Sequence, residues 1–218
     1  MLAEPESPRS VPKLRGVMHQ YAVFAALSLG VVLVVLAPSG RARVGALVYG
    51  VGVTACLGMS ALYHRGRWTP RMKALLCKCD HSTIFLLIAG TATPIILCTM
   101  RGPLGWSLLL AEWGGAAGGI GIALFWRRPP VFIEVGPYLV LGWLGLLAVP
   151  ALVSTVGVTA LVLLVSGGAL FTIGSLCYAA ERPDPWPGVF GFHEVFHGFV
   201  TSAAAAHAVM ISIIVLRA

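Results

Sequence analysis

The stretch VGPYLVLGWLGLLAVPALVSTVGVTALVLLVSGGALFTIGSLCYAA, Val135–Ala180, runs for 46 residues without a charged side chain. As one helix it would be roughly 69 Å long, over twice the ~30 Å hydrocarbon core of a bilayer. It must therefore cross, fold back and cross again, and the residues for the fold-back are Pro150–Gly157. Other charge-free runs lie on either side. Tyr21–Ala37 is closed by Pro38-Ser39-Gly40. Val44–Tyr63, Ser82–Met100, Leu104–Trp126 (interrupted only by Glu112) and Val195–Leu216 complete a set of seven spans. The fold class is an all-α integral membrane bundle of seven transmembrane helices.

Composition supports this reading. Apolar residues make up 58% of the 218 and charged residues 11%, against about 25% charged in a soluble domain. Too few polar side chains are present to cover a water-facing surface, which excludes a soluble globular enzyme, and such an apolar chain is not disordered. The net charge of +7 does not point to nucleic acid, because the basic residues sit between long uncharged runs, as loops of a membrane protein do. Five cysteines without a CxxC pair imply no disulfide framework.

Lys and Arg also predict orientation. Eleven of the fifteen fall in the N-terminal tail and the even-numbered loops: Arg9, Lys13, Arg15; Arg65, Arg67, Arg71, Lys73, Lys78; Arg127, Arg128; Arg182. Arg41, Arg43, Arg101 and Arg217 lie opposite. The positive-inside rule then puts the N-terminus in the cytoplasm and the C-terminus outside. Residues 1–17 read as a short, poorly ordered cytoplasmic tail and 18–218 as a single membrane domain. The stretch before the first span, with three prolines and both charge signs, is a poor signal-peptide n-region. Gly114-x3-Gly118 and Gly115-x3-Gly119 are read as helix-packing surfaces.

Ionisable groups inside spans are costly and mark functional sites. His64 ends span two, one turn after Ser60. Asp80 and His81 open span three, and His193 and His197 open span seven. Three helix ends thus bring Ser60, His64, Asp80, His193 and His197 to one membrane depth. Residues four apart share a helix face, so His193 and His197 can face one ion. Three imidazoles suit zinc and leave a fourth position for water, whose pKa the metal lowers to about 7. Asp80 would hold that water or orient a ligand histidine. Blander readings exist: His64 as an interfacial residue, Asp80 as a helix N-cap, the His193/His197 pair as packing. His19, at the start of span one, reads as interfacial and His207 as a buried polar contact. Glu112 has no obvious partner. His193-Glu194-Val195-Phe196-His197 also spells H-E-x-x-H, the pattern of two zinc ligands around a glutamate base in metalloproteases.

Together these segments resemble the hemolysin III family, the bacterial branch of the progestin and adipoQ receptor superfamily. The resemblance lies in Ser60-Ala61-Leu62-Tyr63-His64, in Asp80-His81-Ser82-Thr83-Ile84-Phe85 running to Ala89-Gly90-Thr91-Ala92-Thr93-Pro94, and in the His193–His197 segment. It implies seven helices with a cytoplasmic N-terminus, zinc on His64, His193 and His197, a water near Asp80, and Ser60 close by. It also implies a membrane lipid as substrate, since the wider superfamily is linked to hydrolysis of ceramide-like lipid amides, while some bacterial members are linked to haemolysis. Ala92 departs from the tyrosine that relatives often carry. Three functions follow as expectations: a zinc-dependent hydrolase of lipid amides or esters, with Asp80 as general base and Ser60 as oxyanion donor; a pore-forming or sensor protein with structural zinc; and an intramembrane protease using Glu194.

Overall fold

A computed structural model describes residues 11–126 and 129–218. Arg9, Arg127 and Arg128, three of the residues used for orientation, lie outside the described residues. The described chain is helical throughout, with no strand: α1 (Val17–Leu36), α2 (Gly40–Arg65), α3 (Pro70–Thr99), α4 (Pro103–Phe125), α5 (Val131–Leu144), α6 (Val149–Val156), α7 (Val158–Ala179) and α8 (Phe192–Arg217). A 3₁₀ turn, Gly145–Ala148, joins α5 to α6, and the two make one span, Val131–Val156. Seven helical segments are long and apolar enough to cross a membrane.

Local chemistry sets the boundaries. Ser39 Oγ accepts from the Ala42 N–H at 3.2 Å and Thr69 Oγ1 from that of Met72 at 3.4 Å, so hydroxyls cap α2 and α3. Proline at the first position starts α3 and α4. The long charge-free run turns at Gly157, whose φ of 98° and ψ of 177° favour a residue without a Cβ. The expected fold-back is therefore at the far edge of Pro150–Gly157, and Pro150 sits in the first turn of α6.

Consecutive helices pack side by side from α1 to α4, α7 packs along α8, and α8 also touches α1, α2 and α3, closing the bundle. The main core lies between α2, α3, the α6 region and α8, around Tyr49, Leu57, Leu152, Met210 and Ile214. The glycine motif of α4 is only half used in packing: Gly115 and Gly119 seat the Leu141 and Phe85 side chains, whereas nothing lies within 4 Å of a Cβ built on Gly114 or Gly118.

Two expectations about boundaries are corrected. Asp80 and His81 do not open the third span, because α3 begins at Pro70 and both residues lie three turns inside it. Asp80 is therefore not an N-cap; Thr69 is. The charges of this early segment are accommodated at its flanks. Lys78 donates to the Leu124 carbonyl and so caps α4, while Arg71 and Lys73 are exposed. Nor is the end of the tail loose. The N–H groups of Lys13 and Leu14 donate to the Gly188 and Val189 carbonyls at 3.2 and 3.1 Å, tying it to the loop before α8.

Candidate metal centre

The last turn of α2 presents Ser60 and His64 on one face, and the first turns of α8 present His193 and His197. Between them the middle of α3 supplies Asp80. The Nε2 atoms of His64 and His193 are 3.1 Å apart. One ring nitrogen from each of His64, His193 and His197 lies within 4.8 Å of the other two. Asp80 Oδ2 is 3.7 Å from His64 Nε2. The expected convergence of Ser60, His64, Asp80, His193 and His197 is thus present.

The donor set fits a divalent transition ion. Three imidazoles from two helices are held at short mutual distance, and His197 is 2% exposed with an Nδ1 that has no hydrogen-bond partner among the described residues. Buried polar nitrogens are ordinarily satisfied, so an unpaired one in a histidine cluster is what a ligand site leaves behind. The guanidinium near these rings is engaged elsewhere.

That guanidinium belongs to Arg15. Its Nε–H donates to Oε1 of Glu194, which is fully buried, and the second oxygen, Oε2, accepts from the Gly191 N–H at 2.8 Å. Glu194 thus caps the start of α8 by accepting from the N-cap N–H, and it neutralises the end of the tail. Both carboxylate oxygens of Glu194 are thereby engaged, one by Arg15 and one by Gly191.

His19 is the residue that sequence reasoning missed. It is 2% exposed rather than interfacial. Its Nδ1 is 2.8 Å from Ser60 Oγ, and its ring stacks on that of His197, with centroids 4.0 Å apart and planes 12° apart. A signal existed: an ionisable residue one turn into an apolar helix. Its partners, 41 and 178 positions away, were invisible.

Beside the cluster, His81 Nδ1 pairs with Glu134 Oε1 at 3.1 Å, and the Tyr138 hydroxyl donates to the His81 carbonyl at 3.2 Å. These groups, with Asp80, Ser60, His193 and His197, line one end of a chamber of about 130 Å³. Its walls are apolar, with Ile84, Leu87, Ile88 and Phe171, and it reaches Glu112 and His207 in the middle of the bundle. His207 Nε2 is 3.3 Å from the Leu164 carbonyl, the buried polar contact expected of it. Ala92 also lines the chamber, so the small side chain at this departure leaves the space open.

Seven membrane-spanning helices that close around three histidines at one end define a class of multi-pass membrane protein. Its family follows from comparison: the Haemolysin-III related family model matches residues 9–208, and the chain belongs to that family. It is 35% identical to Hemolysin-3 of Bacillus cereus over 167 residues, covering 77% of this chain and 73% of the relative. It is 33% identical to the Hemolysin-3 homolog of Bacillus subtilis (strain 168) over 159 residues, covering 73% and 71%. More distantly, it is 25% identical to the human Monocyte to macrophage differentiation factor over 169 residues, covering 76% and 68%.

Proposed function

We propose that this protein is an integral-membrane hydrolase of lipid amides or esters that depends on zinc held by His64, His193 and His197. The observation that carries the reading is one continuous chamber, with His193, His197 and Asp80 at one end and apolar walls beyond. A soluble substrate would not need those walls. A lipid fits them with its chain along Ile84, Leu87 and Phe171 and its carbonyl at the histidines. Its entry from the bilayer makes membrane lipid the partner class.

Zinc at this position supplies Lewis acidity and lowers the pKa of a water it binds to about 7. Asp80 accepts the proton of the attacking water on a carboxylate oxygen. The water oxygen bonds to the carbonyl carbon, the C–N or C–O bond breaks, and the proton passes from Asp80 to the leaving amine or alkoxide. Ser60 donates its hydroxyl hydrogen to the developing oxyanion. That requires His19 to donate to Ser60 from Nδ1, which fixes the tautomer of His19 with Nε2 bare. Glu194 does not compete for the role of base, since Arg15 and Gly191 engage both of its oxygens.

The test is release of fatty acid from a long-chain N-acyl sphingoid base and from a fatty ester by purified protein, with and without a zinc chelator. Release that the chelator abolishes is expected. Zinc-loaded protein that releases nothing from either would favour a pore or sensor with structural zinc, the reading to which the names of the Bacillus relatives lend support.

A further inference from the structure

The chamber lining also carries polar groups that the hydrolytic reading does not use. We propose that these groups are a binding subsite for a hydrogen-bond donor, a hydroxyl or an ammonium, carried on the far portion of an apolar chain. Glu112, Thr91 and His207 form it. The inference concerns binding; it requires the chamber to admit a lipid chain and does not require turnover.

Glu112 lies nine residues into α4 from Pro103, about 13 Å along the helix axis. It is 1% exposed, and its Oε2 has no hydrogen-bond partner among the described residues. Isolated acids at such depth are costly and are found where they serve a ligand or a pathway. The next residue shows the contrast: Trp113 donates its indole N–H to Thr93 Oγ1 at 3.1 Å and is satisfied within the protein.

The neighbouring polar groups of the chamber share one character. His207 Nε2 meets the Leu164 carbonyl. A carbonyl can only accept, so Nε2 carries the hydrogen, and in the neutral ring Nδ1 is an acceptor. Thr91 uses its hydroxyl hydrogen on the Leu87 carbonyl at 2.7 Å, which leaves its oxygen lone pairs. An ionised Glu112 is also an acceptor. All three line the chamber. Facing an ammonium, Glu112 is held as a carboxylate and the three groups present acceptors only; facing a hydroxyl, its carboxyl accepts or donates; a methyl tip has nothing to offer any of them.

The subsite is separate from the histidine cluster. His207 lies ten residues beyond His197 on α8, about 15 Å along the axis, too far for a shared hydrogen-bond network. One extended chain reaches from one to the other.

The experiment uses the zinc-loaded full chain in detergent and three fatty amides long enough to span that ~15 Å, ending in a methyl, a hydroxyl or an ammonium group. Affinity is read by displacement of a fluorescent fatty amide. The hydroxyl- or ammonium-tipped probe should bind about tenfold tighter than the methyl-tipped one, the size expected for one added hydrogen bond to a buried charged acceptor. Glu112→Leu should erase that preference and leave methyl-tipped binding unchanged. Should Glu112→Leu fail to fold, Glu112→Gln keeps the size, removes the charge and should abolish the preference for the ammonium tip over the methyl tip. Equal affinity of the three probes for wild type overturns the subsite. If the three probes bind equally and the methyl-tipped amide is hydrolysed, the subsite fails while the hydrolase reading stands. If no probe binds, both fail.

Discussion

The imidazole of His19 lies flat on that of His197, with 4.0 Å between ring centroids, while its Nδ1 reaches Ser60. One side chain thereby fixes the plane of a proposed metal ligand and the hydroxyl of a proposed oxyanion donor. Groups that orient ligands in this way are worth about 10–100-fold in metal affinity. His19→Ala is expected to weaken zinc binding by about tenfold, read by titration with a competing chelator. Unchanged affinity would reduce His19 to packing.

The ligand set makes a sharper demand. Purified wild-type protein should hold about one zinc per chain. His64→Ala, His193→Ala and His197→Ala should each lose most of it, by elemental analysis of protein still monodisperse in detergent. Full retention in any of the three removes that residue from the set.

Arg15 and Glu194 yield a prediction about stability rather than chemistry. Removing one partner of a buried pair leaves a charge without compensation, which costs about 3–5 kcal/mol when both are buried. The Arg15 side chain is 20% exposed, so Arg15→Ala is expected to cost somewhat less, on the order of 2–3 kcal/mol. A fall of several degrees in Tm, with zinc content unchanged, is the expected result. Loss of zinc at unchanged Tm would place Glu194 in the site instead.

How far the sequence reached is clearest at α3. Lys73, Lys78 and Asp80 make residues 70–80 look like a loop, and the apolar run begins only at Ser82. The helix nevertheless starts at Pro70, because Thr69 and Pro70 supply a start signal and Lys78 finds the end of α4. By contrast, six apolar runs, one of them long enough for two spans, were enough to count seven, and the i,i+4 spacings of Ser60/His64 and His193/His197 were enough to find the cluster. What could not be read was pairing at long range. Arg15 and Glu194 are 179 positions apart, and no local pattern in either segment names the other.

Orientation rests on the eleven basic residues against four. A reporter fused to the C-terminus is expected to read as extracytoplasmic, and one placed between Arg65 and Pro70 as cytoplasmic. The opposite pair of readings would put the histidine cluster at the outer face.

The account depends most on Asp80, whose carboxylate lies 3.7 Å from His64 and faces the chamber. Asn keeps its shape and cannot accept the proton. The decisive measurement is the rate of lipid-amide hydrolysis by zinc-loaded Asp80→Asn, beside wild type and Glu194→Gln. A loss of about 10²–10⁴-fold at full zinc occupancy, with Glu194→Gln close to wild type, is the predicted result. An Asp80→Asn protein that turns over normally while Glu194→Gln is inactive would contradict it.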